Sequence, residues 1–104
     1  MRVALISDIH GNHVALDAVL ADIDGAGVDQ VICLGDVATL GPQPKEVVQK
    51  VRDLGCPCIL GNHDAFLLDT ALVHGYTGES DIVRAVDWAR SQLTEEDLDF
   101  VKTF

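Results

Sequence analysis

Three short apolar runs, each followed at once by a polar loop, constrain the fold of this chain more than any other feature. The runs are residues 2–6, 30–34 and 58–60. Short, continuous apolar runs are typical of strands buried on both faces. Because helical patterns separate the runs, right-handed crossovers into a parallel sheet are expected. The sequence therefore predicts an α/β fold with a mainly parallel sheet and flanking helices.

The first two helices are indicated by apolar residues that recur at offsets of three and four. The first covers residues 13–23, and we expect Gly25 and Gly27 to stop it. Pro44 suits the first turn of the second helix, which Gly55 ends. Each crossover between predicted strands thus contains one helix.

The last third of the chain has a weaker pattern. Residues 64–72 fit either a helix or a partly ordered loop, and residues 75–78 fit a break. We expect Ser80 to cap a further helix, and Thr94 with Asp97 to form a capping box that opens a final one. This region is therefore predicted to be helical.

Length and charge limit the function. The 104 residues suffice for one domain, and 17 acidic against 7 basic residues argue against a nucleic-acid polymer as partner. No apolar run could span a bilayer and no signal-peptide core precedes the first strand, so we expect a cytoplasmic protein without a membrane partner. Cys33, Cys56 and Cys58 lie in apolar surroundings, which favours free thiols in the core.

Polar side chains follow the first strand directly. Asp8 and His10 are two residues apart, so an extended backbone would direct both side chains to one side. A carboxylate with an imidazole suits Mn, Fe, Zn, Co or Ni better than Mg or Ca. Taken alone, such a pair is more often a solvated strand end than a metal site.

The other two predicted strands end in similar polar residues. Asp36 follows Gly35, and a bridging carboxylate of this kind can hold two cations, although an aspartate in a glycine turn is also common. Asn62 could bind a second metal, while His63 could contact phosphoryl oxygens or protonate a leaving group. Asp64 could orient His63 or cap the following helix. Because carboxyl ends of parallel strands share one edge, these residues are expected to meet.

In the order Asp-x-His, Gly-Asp and Gly-Asn-His-Asp, these three signatures resemble the calcineurin-like metallophosphoesterase superfamily. Residues 7–12 are especially similar to its bacterial and archaeal phosphodiesterase branch, and residues 35–37 with 41–42 are similar too. The resemblance extends over essentially the whole chain.

The resemblance implies a site with two divalent transition-metal ions, Mn, Fe, Zn, Ni or Co. Asp8 and His10 would bind the first ion, Asp36 would bridge both, and Asn62 would bind the second. His63 would be the catalytic histidine. A metal-bound hydroxide would attack a phosphomonoester or phosphodiester without a phosphoenzyme intermediate.

The sequence departs from this family in lacking its second half. Members complete the site with further histidines, typically in a Gly-His-x-His-type motif, which nothing here matches; His13 and His74 are not expected to replace them. The family fold is an α/β/β/α sandwich, and we expect residues 1–104 to form one truncated half of it. The sheet face left uncovered would favour a partner, such as a second copy in a homodimer.

We therefore expect a metal-dependent phosphoric ester hydrolase that acts on a phosphate-ester small molecule or a phosphoprotein. The alternative is a non-catalytic metal- or phosphate-binding module, or an inactive fragment. A Rossmann-like or flavodoxin-like domain is disfavoured because no Gly-x-Gly-x-x-Gly follows the first strand. The residues do not indicate which ester is the substrate, since specificity in such folds depends on loops.

Overall fold

A computed structural model describes residues 1–104 and has the predicted alternation of strands and helices. The elements are, in chain order, β1 (Val3–Ile6), α1 (His13–Ala26), β2 (Gln30–Cys33), α2 (Pro44–Leu54), α3 (Asn62–Leu68), α4 (Leu72–Tyr76), α5 (Ser80–Ser91) and α6 (Glu95–Val101). β1 and β2 pair in parallel, with Leu5 opposite Ile32. This is the predicted α/β class, a parallel sheet with flanking helices.

The third predicted strand is reduced to one parallel bridge between Cys33 and Cys58. Cys33 N donates to Pro57 O over 2.9 Å, and Ile59 N donates to Cys33 O over 2.8 Å. The pairing goes no further because the chain turns at Gly61 into α3. The segment is parallel to β2, as expected for a parallel sheet, and it lies beside β2 with β1 on the other side. The expected strand of 58–60 is wrong in length.

Gly27 ends α1 as predicted, but Gly25 does not, and the predicted cap at Ser80 is wrong. α1 continues through Gly25, which has ordinary space around it, and ends only at Gly27, where φ is 66°. The left-handed conformation therefore lies at Gly27 alone. Ser80 is the first helical residue of α5, and its preceding residue Glu79 makes no side-chain cap.

The remaining helical expectations have mixed outcomes. Within residues 64–72 the chain is helical to Leu68 and again from Leu72, and Gly75 belongs to α4, so the predicted break begins later, at Thr77. The predicted capping box is confirmed, because Thr94 N donates to Asp97 Oδ2 and Asp97 N donates to Thr94 Oγ1.

The hydrophobic core lies on one side of the sheet only. Ile6 and Cys33 face the side chains of α1, α2 and α3, among them the buried Leu16, Val47, Val48, Val51 and Leu67. On the opposite face Leu5 is 63% exposed and Ile59 56% exposed. The three cysteines are free, Cys33 buried and the other two half-buried. No helix has both the length and the apolar character that crossing a bilayer requires.

Candidate metal centre

The loops that follow β1 and β2 are joined by backbone hydrogen bonds. Asp8 N donates to Gly35 O over 3.1 Å, His10 N to Asp36 O over 3.0 Å, and Gly11 N to Val37 O over 2.8 Å. These bonds extend the pairing of the two strands beyond their carboxyl ends. As a result, polar residues 28 positions apart in the sequence lie side by side at one edge of the sheet.

The backbone of these loops is left-handed at four non-glycine residues: Asp8 (φ 54°), His10 (φ 46°), Asp36 (φ 58°) and Leu40 (φ 78°). The expectation of an extended backbone at Asp8 and His10 is therefore wrong. Such conformations cost about 1–3 kcal/mol each and concentrate at functional sites, where the surrounding bonds hold them. Here the inter-loop hydrogen bonds supply that support.

Asp8, His10 and Asp36 come together as one group. Each offers one ligand atom, and these atoms all lie within 4.8 Å of one another. His10 Nε2 is 3.4 Å from Asp8 Oδ1. The hydrogen bond from Ser7 Oγ, 2.5 Å long, lowers the pKa of Asp8 and keeps that carboxylate ionised. Two carboxylates with one imidazole form a donor set that fits a divalent transition metal.

Asp36 is held close to the start of α3. Its Oδ1 accepts a hydrogen bond from His63 N over 3.0 Å. Gly61 lies directly against this carboxylate, and a Cβ at that position would overlap it. A Cβ on Gly35, where φ is 99°, would lie 2.6 Å from Gly61 N. Both glycines are therefore required for this close approach.

Asp64 holds the backbone around Asp36. Its buried carboxylate accepts hydrogen bonds from Asp36 N (2.8 Å), Val37 N (3.0 Å) and Gly61 N (2.8 Å). Burial raises the pKa of Asp64, and the three N–H donors oppose that rise. Of the two predicted roles, the bond to Gly61 N corresponds to the cap of α3, and no hydrogen bond joins Asp64 to the His63 ring.

His63 lies beside the three-residue group with its ring almost fully buried. The ring contacts His10 edge to face at 5.1 Å between centroids, and it also contacts Phe66 and Tyr76. Burial lowers the pKa of His63, so the imidazole is neutral near pH 7. Its Nδ1 is 2.7 Å from Thr39 Oγ1. A neutral imidazole at this edge can exchange a proton with a bound ester.

Asn62 lies next to the site, at the start of α3. It is the exposed first residue of α3, next to His63, and its side chain makes no hydrogen bond. Its role as a ligand stays a prediction. His13 pairs instead with Asp17 on α1 at 3.2 Å, and His74 is exposed on α4. Neither of these two histidines joins the group.

Thr39 is a site residue that the sequence reasoning missed. It is fully buried and contacts both histidines, through its carbonyl oxygen to His10 Nδ1 and through its hydroxyl to His63 Nδ1. The available signal was a lone polar residue in the stretch Val-Ala-Thr-Leu that follows Asp36. That signal is weak, because threonine is common in loops.

Comparison with known proteins relates the whole chain to phosphoesterases. The family model for calcineurin-like phosphoesterases matches residues 1–102. An uncharacterized protein of Methanocaldococcus jannaschii is 38% identical over 95% of this chain and 40% of its own length. A symmetrical bis(5'-nucleosyl)-tetraphosphatase of Histophilus somni is 30% identical over 97% of this chain and 43% of its own length.

The fold matches a solved structure equally well. The crystal structure of a metallophosphoesterase from Sphaerobacter thermophilus superimposes with a TM-score of 0.77 and 38% sequence identity, covering 100% of this chain and 41% of that one. The chain therefore spans about two fifths of the length of the relatives it matches, and it corresponds to an N-terminal half of their fold.

Proposed function

Because the chain belongs to the calcineurin-like phosphoesterase family, we propose that it carries the metal-holding half of a site that hydrolyses phosphomonoesters or phosphodiesters. The observation that carries this proposal is the convergence of Asp8, His10 and Asp36, whose ligand atoms lie within 4.8 Å of one another. His63, buried beside them, supplies a group that can exchange protons.

The proposed ligands rest on the family resemblance and, for Asp8, His10 and Asp36, also on their convergence. Asp8 and His10 would hold a first divalent ion, Asp36 would serve both that ion and a second, and Asn62 would be a ligand of the second. Thr39 O can only accept, so His10 Nδ1 carries the proton and its Nε2 lone pair is free for a metal. Mn, Fe, Zn, Ni and Co all suit this mixture of oxygen and nitrogen ligands.

The metal ions and the side chain of His63 are proposed to supply different parts of the hydrolysis. When bound, paired ions lower the pKa of a water molecule and neutralise charge on the phosphoryl oxygens. His63 is proposed to donate a proton from its ring to the leaving oxygen, or to hydrogen-bond a phosphoryl oxygen. Its backbone N–H fixes Asp36 Oδ1, so one residue both orients a ligand and faces the ester.

The substrate is proposed to be a phosphate-ester small molecule, with a phosphoprotein as the other class considered. The relative from Histophilus somni is named as a tetraphosphatase of dinucleosides, which favours a nucleotide.

For this chain by itself we further propose a homodimer that covers the exposed face around Leu5 and Ile59. Light scattering at the monomer mass over a wide concentration range would exclude that dimer.

Hydrolysis of bis-p-nitrophenyl phosphate with added Mn²⁺ or Ni²⁺ tests the proposal. We expect metal-dependent turnover in the wild type and its loss in Asp36→Ala. In His63→Ala, metal content should persist while turnover falls by about 10²–10⁴-fold. Loss of metal from His63→Ala would contradict its assigned role. Metal binding without any turnover in the wild type would support the alternative, a non-catalytic metal- or phosphate-binding module.

A further inference from the structure

Thr39 lies between the two imidazoles of the site and contacts each through a different group. Its carbonyl oxygen is 3.1 Å from His10 Nδ1, and its hydroxyl oxygen is 2.7 Å from His63 Nδ1. The residue has no exposed surface. One buried residue therefore sets the orientation of a proposed metal ligand and of the proposed proton donor.

No other hydrogen bond orients the His63 ring. Asp64, the neighbouring carboxylate, has both oxygens occupied by the backbone N–H groups of Asp36, Val37 and Gly61. The ring also contacts the aromatic rings of His10, Phe66 and Tyr76, and none of these contacts is a hydrogen bond. The hydroxyl of Thr39 is thus the only hydrogen-bond partner of Nδ1.

The direction of this hydrogen bond follows from the cost of leaving a donor unpaired. Thr39 Oγ1 has no partner except His63 Nδ1. If the hydroxyl accepted a proton from Nδ1, its own O–H would be buried without an acceptor, which costs more than an unused lone pair. The hydroxyl therefore donates to Nδ1, and the ring proton resides on Nε2.

We propose that Thr39 is the positioning residue of His63, with its hydroxyl holding the ring in the tautomer that presents Nε2–H to the leaving oxygen of a phosphate ester. This inference rests on the proposed function of His63. The hydroxyl acts on the proton donor, while the carbonyl oxygen of the same residue holds His10. A side-chain change at Thr39 should therefore affect proton delivery and spare metal binding.

The first test measures the tautomer directly and needs no turnover. Long-range ¹H–¹⁵N correlation spectra of the metal-free chain at about pH 8, where histidine is neutral, should show His63 protonated at Nε2 and not at Nδ1. Thr39→Ser should keep this pattern, and Thr39→Val, which replaces the hydroxyl with a methyl group, should give a mixture of tautomers. A wild-type ring protonated at Nδ1 would overturn the inference, as would an unchanged spectrum in Thr39→Val.

The second test separates proton delivery from metal binding. In Thr39→Val, kcat for bis-p-nitrophenyl phosphate with Mn²⁺ should fall about 10–100-fold, the usual effect of losing such a supporting partner, and Thr39→Ser should recover it. KM and Mn²⁺ affinity should change less than about twofold. Thr70→Val, at a position without side-chain hydrogen bonds, is the matched control.

These readouts also distinguish two kinds of failure. If the wild type shows the Nε2–H tautomer and Thr39→Val loses it, but no turnover is found, the proposed hydrolysis fails and the positioning by Thr39 stands. If the wild type hydrolyses the ester and Thr39→Val hydrolyses it equally fast, the positioning role is refuted and the hydrolysis stands.

Discussion

Replacing Asp64 should destabilise the chain in proportion to the number of N–H groups left without an acceptor. The buried carboxylate accepts from Asp36 N and Gly61 N through Oδ2 and from Val37 N through Oδ1. In Asp64→Asn the amide oxygen can keep the first two bonds, but the NH₂ group then faces Val37 N–H. One buried donor is lost, which costs roughly 1–3 kcal/mol.

Asp64→Ala should be more severe because all three N–H groups lose their acceptor. At roughly 1–3 kcal/mol each, the loss approaches the whole stability of a small domain, about 5–15 kcal/mol. Urea unfolding followed by far-UV circular dichroism measures both variants, and Asp87→Asn on the exposed side of α5 is the matched control. An Asp64→Asn variant as stable as the control would refute this reading of the three bonds.

Three further predictions concern other positions. Gly61→Ala should weaken Mn²⁺ binding at least tenfold because the methyl group would overlap the Asp36 carboxylate, and calorimetric titration measures this. Gly25→Ala should raise the free energy of unfolding by about 0.5 kcal/mol, since Gly25 is helical with open space around it; a loss of stability in urea would contradict this. Burial raises the pKa of Asp97, but hydrogen bonds from Thr94 and Lys45 outweigh it and leave that pKa below its ordinary 3.8. The contribution of Asp97 to the free energy of unfolding is therefore present above pH 3.8 and lost as the pH falls through the folded pKa. Asp97→Asn should cost about 1.5–3 kcal/mol near pH 7 and less in acid. The exposed Asp99→Asn is the control and should cost about 0.5 kcal/mol or less.

The order of elements could be predicted from the sequence because local patterns determine it. Apolar runs and helical periodicity located β1, β2, α1 and α2, and the capping box of Thr94 formed as expected. Helix boundaries that depend on the backbone conformation of one residue were harder to predict from the sequence. Gly25 and Gly27 look alike in sequence, and only the tertiary path determines which of them adopts the left-handed conformation.

The candidate site could be predicted as a set of residues but not as a geometry. The rule that parallel strands share one carboxyl edge was enough to bring Asp8, His10 and Asp36 together. The left-handed backbone at these residues arises from hydrogen bonds between two loops, which no local pattern encodes. Thr39 was missed for the same reason, since its two histidine contacts join residues 24 and 29 positions away.

The exposed sheet face shows a different limit of sequence-based prediction, namely which surface covers a strand. The alternation of β1 buries Ile6 and leaves Leu5 exposed. The continuous apolar run alone favours burial of both residues, whereas the missing second half of the fold predicts an uncovered face. A strand pattern reports that a face is apolar, and it does not identify the surface that packs against it.

Equilibrium dialysis with Mn²⁺, followed by elemental analysis of the protein, tests the central claim most directly. The wild type should retain at least one ion per chain. Asp36→Ala and Asp8→Ala should each lose it, whereas Asp87→Asn, which removes a carboxylate away from the site, should keep it. A wild type that binds no metal, or one whose binding survives both alanine substitutions, would contradict the assignment of Asp8, His10 and Asp36 as a metal centre.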